Sequence, residues 1–296
     1  MNLSSIVSTC LVPFLLLLTA NTAAACMVYV PLEVRIVQSS HIVEGEITAV
    51  ETKEPWQYGT LKVGKVFKGD KDTRELTVVW RAPRKGPGII ADGPMRYKQG
   101  QKGIWILTAK KDIGLMASYP GDLSTDDKAT KRITDALAKV KALRWQKEGD
   151  LEWTVLTEVH ALKPPQERNG VVNYARGQFF PLVRNPGDKP RHVLDYLPHR
   201  TIRGSVTAPD GKQIAVKGGR VNMDAVPHPG AFRLVAPGKT ISLGYGQQLP
   251  NFQQRGTYQL SMVYENAKFG VAAGKENVFK GKVEVKVEIV VPGEDG

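Results

Sequence analysis

The sequence predicts a mainly β protein in three parts: a strand-rich region, one long amphipathic helix, and an antiparallel β-sandwich. Three observations predict this. Between Ser40 and Thr108 apolar residues alternate with polar ones in short runs separated by Gly, Pro and Asp. Between Ser124 and Gly149 they recur instead at three- and four-residue spacing. From Leu151 onward the two-residue period returns. A period of two marks a half-buried strand, and a period near 3.6 marks a helix.

Four runs make up the first region. "HIVEGEITAV" (41–50) sets Val43, Gly45, Ile47 and Ala49 on one face. "GTLKVGKVFKGD" (59–70) pairs Leu61 with Val63 and ends in a turn at "KGD". "ELTVVWRAP" (75–83) puts Leu76, Val78 and Trp80 together, and "GQKGIWILTAKKD" (100–112) sets Ile104 and Ile106 against Trp105 and Leu107. The Gly/Pro-rich stretch from Arg81 to Gly100 reads as a long loop, and "YPGD" (119–122) closes the region.

The helix is expected over about 24 residues, roughly 36 Å at 1.5 Å per residue. Ser124 is its expected cap, with Asp126 and Asp127 in the first turn, where the helix dipole favours acids. Ile133, Leu137, Val140 and Leu143 form one stripe, Lys and Arg crowd the far end, and Gly149 is the expected stop. A single stripe implies packing on a domain rather than a coiled coil.

Beyond the helix, "EWTVLTEVHAL" (152–162), "VVNYARGQFFPLVRN" (171–185) and "HRTIRGSVTAPDGKQI" (199–214) read as strands, with a turn at "APDG" (208–211). "GTYQLSMVYEN" (256–266) aligns Tyr258, Leu260, Met262 and Tyr264. In "KGKVEVKVEIVV" (280–291), Val283, Val285, Val287 and Ile289 face in, while Lys282, Glu284, Lys286 and Glu288 face out. Many short strands with frequent turns imply an antiparallel sandwich.

Residues 1–25 read as a signal peptide. The apolar run "LVPFLLLLTA" (11–20) is too short to span a bilayer comfortably, and Ala23-x-Ala25 supplies small residues for cleavage just before Cys26. The n-region "MNLSS" is atypical, because it has no Lys or Arg. No later run is long and apolar enough to cross a membrane. About 270 residues then remain, enough for two ordinary domains. The charged fraction of 24% and apolar fraction of 42% are those of a globular chain. The net charge of +12 is dispersed, with its densest basic stretches at 81–88 and 139–147. An exported chain is not expected to meet nucleic acid. The dispersed charge reads first as a solvated face; at low salt it would attract an acidic polysaccharide or anionic lipid only weakly, and a protein partner is the other expectation. Of the two cysteines, Cys10 lies in the leader, so no internal disulfide is expected in the mature chain.

Two resemblances follow from these motifs. Residues 26–122 resemble the netrin-like, OB-type barrel of the tissue inhibitors of metalloproteinases and their bacterial relatives. The likeness is carried by a cysteine at the mature start, "VYVP", "SSHIVEGEITAV", "LKVGKVFKGD", and "GQKGIWIL" before "YPGD". Residues 150–293 resemble the Ig-like sandwiches of exported bacterial proteins, carried by "LVRNPGDKP", "TAPDGKQI", "LVAPGKTISL" and "GTYQLSMVYEN". "GTYQL" is also similar to an immunoglobulin-type tyrosine corner, with Leu260 where antibody domains carry a disulfide cysteine. The fold class these resemblances imply is mainly β: an OB-type Greek-key barrel over 26–122, a connecting helix over 123–149, and an Ig-like antiparallel β-sandwich over 150–293. Both folds host many activities, so neither fixes a function.

Motifs for chemistry are sparse. His41, His160, His192, His199 and His228 form no H-E-x-x-H or other metal spacing. His192, Asp195 and His199 are a weak acid/base cluster, read first as a solvated loop. There is no G-x-S-x-G, no P-loop and no G-x-G-x-x-G before a helix. No catalytic residue, cofactor or metal site is expected, and the chain reads as an exported, non-enzymatic binding or scaffold protein of the cell envelope or extracellular space. Cys26 admits four readings. In order, they are packing at the barrel entrance, lipidation at Ala23-Ala24-Ala25-Cys26, inhibition of a metalloprotease, and an intermolecular disulfide. The lipobox lacks the usual Leu three residues before the cysteine. The third reading is implied by the resemblance alone: in those inhibitors the first cysteine's amine and carbonyl chelate the target's zinc. Met27 would then enter the protease pocket. This chain departs from the family's Cys-x-Cys start, since Val28 replaces the second cysteine, and so loses the disulfide that makes the start rigid. The oligomeric state is not legible.

Overall fold

The computed structural model describes residues 30–82, 97–110, 112–117, 125–195, 201–216, 229–244, 246–266 and 277–292. Within them the chain is mainly β. A first helix, α1 (Leu32–Gln38), leads into five strands: β1 (His41–Lys53), β2 (Trp56–Lys68), β3 (Glu75–Arg81), β4 (Lys102–Lys110) and β5 (Gly114–Ala117). They close into a barrel of order β1-β2-β3-β5-β4, with β3 and β5 parallel and the other pairs antiparallel.

The barrel interior follows from the strand alternation. Val43, Ile47, Leu61, Val63, Val78, Trp80, Trp105 and Leu107 pack together inside it. Tyr97 fits edge-on between Trp80 and Trp105, with ring centroids 5.1 and 4.9 Å away. A Cβ on Gly45 would stand 2.4 Å from the Lys62 carbonyl oxygen, so only glycine lets β1 and β2 approach there. The expected facing fails at Ala49, which is exposed. A bulge between Ile47 and Ala49 shifts the register, and Val50 packs against the interior instead.

Strand β4 is buried on both faces. Trp105 and Leu107 point into the barrel, while Ile104 and Ile106 point out beneath two helices. One is α1. The other is α2 (Asp127–Lys141), and Ile36 of α1 meets Ala129, Ile133 and Ala136 of α2 over Ile42, Ile104 and Ile106.

Helix α2 has 15 residues, shorter than the sequence predicts. Asp126 is its cap, with Oδ1 accepting from the Ala129 N–H at 2.7 Å. The predicted cap, Ser124, lies outside the described residues. The helix ends at Ala142 rather than near Gly149. Leu143 and Trp145 leave the helical stripe for a separate cluster with Val34, Leu156, Phe180 and Leu182. The next residues form β6 (Gln146–Glu148), which pairs with β7 (Leu151–Arg168). Gly149 serves the turn between them, at φ +62°.

The remaining strands are β8 (Val171–Arg184), β9 (Arg191–Leu194), β10 (Ile202–Thr207), β11 (Gln213–Ala215), β12 (Phe232–Val235), β13 (Thr240–Ser242), β14 (Gln247–Gln248), β15 (Gly256–Asn266) and β16 (Gly281–Val291). One sheet has order β13-β8-β7-β6, with β14 also on β8; a second has order β11-β10-β15-β16; β12 and β9 form a pair. Leu151, Trp153, Val155, Phe179 and Val183 of the first sheet meet Val206, Leu260, Met262, Tyr264, Val283 and Ile289 of the second in one core. Tyr258, Leu260, Met262 and Tyr264 are all buried, as the alternation predicts. The predicted turn "APDG" divides β10 from β11, closed by the Gly211 N–H donating to Ala208 O at 2.9 Å.

Strand β16 makes the alternation testable. Val283, Val285 and Ile289 are buried, Val287 is half-buried, and Lys282, Glu284, Lys286 and Glu288 are exposed. Val285→Asp places an unpaired carboxylate in the core and is expected to destabilise by about 3 kcal/mol or more. Lys286→Gln removes only an exposed charge paired with Glu284 at 3.3 Å, and is expected to change stability by less than about 0.5 kcal/mol. Urea melts of the two variants check this, and equal losses would show that the facing is wrong.

Candidate functional site

The residues singled out from the sequence fall in different places. Cys26 and Met27 lie outside the described residues, as do His199 and His228. The other three histidines do not converge. His41 opens β1, with Nδ1 3.2 Å from Ser40 Oγ. His160 is exposed on β7, with Nε2 3.4 Å from Glu158 Oε1. His192 lies in β9, where its backbone N–H donates to Asn277 O at 3.0 Å.

Asp195, the acid of the weak His192/Asp195/His199 grouping that the sequence reads first as a solvated loop, is paired with Arg233 at 3.1 Å, and Arg233 Nη1 also donates to Ser242 O at 2.6 Å. Burial pushes the Asp195 carboxyl up, against the pull of the arginine. Its backbone N–H donates to Ala231 O at 2.7 Å. This arrangement ties β9 to β12 and β13 through the arginine. Among the described residues, no three His, Cys, Asp or Glu side chains come together as a metal site. No helix of the described residues is long and apolar enough to cross a membrane.

Among the described residues, two open grooves offer places to bind. The first, about 320 Å³, lies on the barrel where β1, β2 and β3 adjoin, and Glu51, Lys53, Tyr58, Thr60 and Thr77 line it. Lys53 Nζ stands 3.1 Å from Glu51 Oε2 and 5.8 Å from the Tyr58 ring centre. The second, about 490 Å³, lies against the outer part of β7 and β8. Arg168, Arg176 and Asn251 are among its lining residues, and the sequence had marked none of them.

A third cluster is electrostatic. Lys68, at the end of β2, donates from Nζ to Ile36 O at 2.6 Å and to Ser39 O at 2.6 Å. It therefore serves the carbonyls that α1 leaves unpaired at its C-terminus, where a cation is favoured. Burial nevertheless pushes its ammonium down to about 8, and repulsion from Lys239 adds to the shift. The His41 imidazole is lowered too, by burial first and then by Lys239.

No protein-family model, curated protein or solved structure matches the chain. The chemistry must therefore be read from its own side chains.

The Lys68 ammonium fixes the sign of one pH effect. Its folded value, about 8, lies below the usual 10.5. Between those values the folded state holds fewer protons than the unfolded state, so this group's contribution to stability rises with pH. Below pH 8 the charge must be buried and the cost is full. Wild type minus Lys68→Met, measured by urea unfolding, is expected to shift in favour of wild type from pH 7.5 to 10.5. A flat or falling difference would refute the assignment.

Proposed function

We propose that the chain is an exported, non-enzymatic binding or scaffold protein of the cell envelope or extracellular space, released there by cleavage of its leader. Its architecture in this reading is an OB-type Greek-key barrel over 26–122 and an Ig-like sandwich over 150–293. The closed order β1-β2-β3-β5-β4, with β3 alongside β5 in parallel, supports the barrel assignment. Tyr258 supports the sandwich assignment: its hydroxyl donates to Gln254 O at 2.9 Å, four residues upstream near the start of β15, in the manner of a tyrosine corner. Leu260 is fully buried where antibody domains carry a cysteine.

One observation carries the binding role. The barrel groove is lined by the end of β1, by Tyr58 to Thr60 of β2 and by Thr77 of β3, and at Lys53 it comes up to the turn joining β1 to β2, so it adjoins the second and third strands and the first loop with which OB-type barrels take their ligands. It holds an aromatic ring beside charged and hydroxyl side chains rather than a converged acid and base. The mature chain is therefore expected to co-sediment with isolated cell-envelope material. Lys53→Glu/Tyr58→Ala should weaken that binding by about tenfold, a loss of about 1.4 kcal/mol, while melting is little changed. Binding that survives the double substitution would remove the groove from the reading, and no binding to any envelope fraction would remove the reading itself.

Inhibition of a metalloprotease through the Cys26 amine and carbonyl is the second reading, and Val30 favours it. That side chain packs with Val34, Leu156 and Phe180, so the chain is anchored four residues after Cys26 without a disulfide. The amine must be neutral to chelate. With a reference value of about 7.7–8.0, it loses its lone pair as pH falls, so inhibition should weaken below that range. Acetylating the amine should abolish inhibition. For the lipid-anchor reading, Cys26→Ser should release the protein from membranes with its fold intact. If neither change alters inhibition or localisation, Cys26 only packs.

A further inference from the structure

We propose that the groove against the outer part of β7 and β8 is a second binding site and that its ligand is an acidic polysaccharide chain. The two strands stay paired from Glu152↔Arg184 out to Arg168↔Val171. Burial ends sooner. From His160 to Val172 every residue except half-buried Leu162 is exposed, so the end of the hairpin stands away from the core as an arm. Its turn is Asn169-Gly170, both at positive φ (55° and 74°), which suits a tight two-residue hairpin turn.

The groove is built where this arm leaves the core. Between the pairs Ala161↔Ala175 and Gln166↔Asn173, β7 carries the extra length of Leu162 to Pro165 against the single residue Tyr174 of β8. Asn173 is buried and pins the bulge, donating from Nδ2 to Gln166 O at 3.2 Å and to Val171 O at 3.3 Å. On the same strand, the Tyr174 N–H donates to Phe252 O at 2.8 Å and the Phe252 N–H to Ala175 O at 3.0 Å. Those bonds bring Asn251 to the hollow beside the bulge.

The side chains gathered there specify the ligand's chemistry. Arg168 and Arg176 present two guanidinium groups, and neither is held in an ion pair with another described residue. A guanidinium favours a carboxylate or sulfate through paired N–H donors. Gln166, Asn251 and Glu167 add amide and carboxylate groups that suit hydroxyls, which both donate and accept. Leu162 is the one apolar lining residue. A free phosphate would use the arginines and leave the amides idle, and an apolar peptide would find little to cover. A saccharide with an acid group and several hydroxyls uses both sets. The groove is open, so it can hold the interior of a chain, and the net charge of +12 would draw such a polyanion in.

Isothermal titration at about 150 mM salt, where dispersed surface charge is screened, tests this. The probes are oligogalacturonate, its neutral methyl ester, inorganic sulfate and phosphatidylglycerol vesicles. Oligogalacturonate is expected to bind at least about tenfold more tightly than its ester or sulfate. Arg168→Gln/Arg176→Gln should weaken it about tenfold or more, and Asn251→Ala about threefold, with melting unchanged. Lys282→Gln/Lys286→Gln removes the same charge from the exposed face of β16 and should leave binding within about twofold. The proposal is overturned if oligogalacturonate does not bind, if the ester binds as well, or if the lysine pair matters as much as the arginine pair. It is also overturned if sulfate or vesicles bind as tightly through the same arginines. The barrel-groove variant Lys53→Glu/Tyr58→Ala should bind the saccharide normally, so the two sites can fail separately.

Discussion

Helix α1 is buried from two sides, and the barrel and the sheets are joined through it. Seven residues are too few to hold a helix in water, since nucleation is costly and each further hydrogen bond adds little. Its order therefore comes from what covers it. Ile36 is enclosed by α2 and the outer face of β1 and β4. Val34 and Val37 are enclosed by Leu156, Phe180 and Leu182 of β7 and β8, with Leu143 and Trp145 alongside. Each fully buried Val or Ile contributes about 1.5–3 kcal/mol, so a handful of these contacts outweighs the poor helix propensity of "LEVRIVQ". Removing either cover would expose one apolar side of α1 and leave the other half-supported.

The C-terminal end of α1 sets the electrostatics of the same junction. Its last carbonyls point at Lys68, which belongs to the barrel. Ser39 adds a local bond, its Oγ donating to Ile36 O at 2.8 Å. Lys239, from the turn between β12 and β13, repels Lys68 and His41, and Asp70 partly compensates at His41. The apolar contacts thus hold together two surfaces whose nearby cations oppose one another. The helix carbonyls make that tolerable, because they give the Lys68 ammonium acceptors where water is partly excluded.

Strands that alternate cleanly between turns were legible in the sequence. Both β15 and β16 sit within a residue of their expected limits, because a single periodic signal and a single core agree there. Helix α1 was not legible. Leu32, Val34 and Ile36 repeat every second residue and two are β-branched, so the local pattern points to a strand and tertiary packing overrides it. The overextension of α2 has a related cause. Val140 and Leu143 continue the helical spacing, but Leu143 and Trp145 find more burial against Phe180 and Leu182. Nothing in the spacing could have grouped the second groove. Arg168, Arg176 and Asn251 meet only because Phe252 bridges Ala175. The one local signal was the Asn169-Gly170 pair itself, which marks a tight turn but not the bulge beside it.

In that hairpin one register serves three environments. Phe179 and Val183 of β8 enter the core shared with β10, β15 and β16, Phe180 and Leu182 enter the cluster around α1, and Asn173 holds the bulge of the arm. A slip of one residue would exchange the two faces along the whole strand. With both faces buried between Phe179 and Val183, such a slip would force side chains shaped for one core into the other. The core therefore fixes where Asn173, Arg176 and the bulge must lie, although those residues contribute little to the core themselves. Side chains held this way lose less freedom when a ligand arrives than the same side chains on a free loop. An exposed groove of long, charged residues can be selective on such a frame, because its backbone is set by packing several residues away.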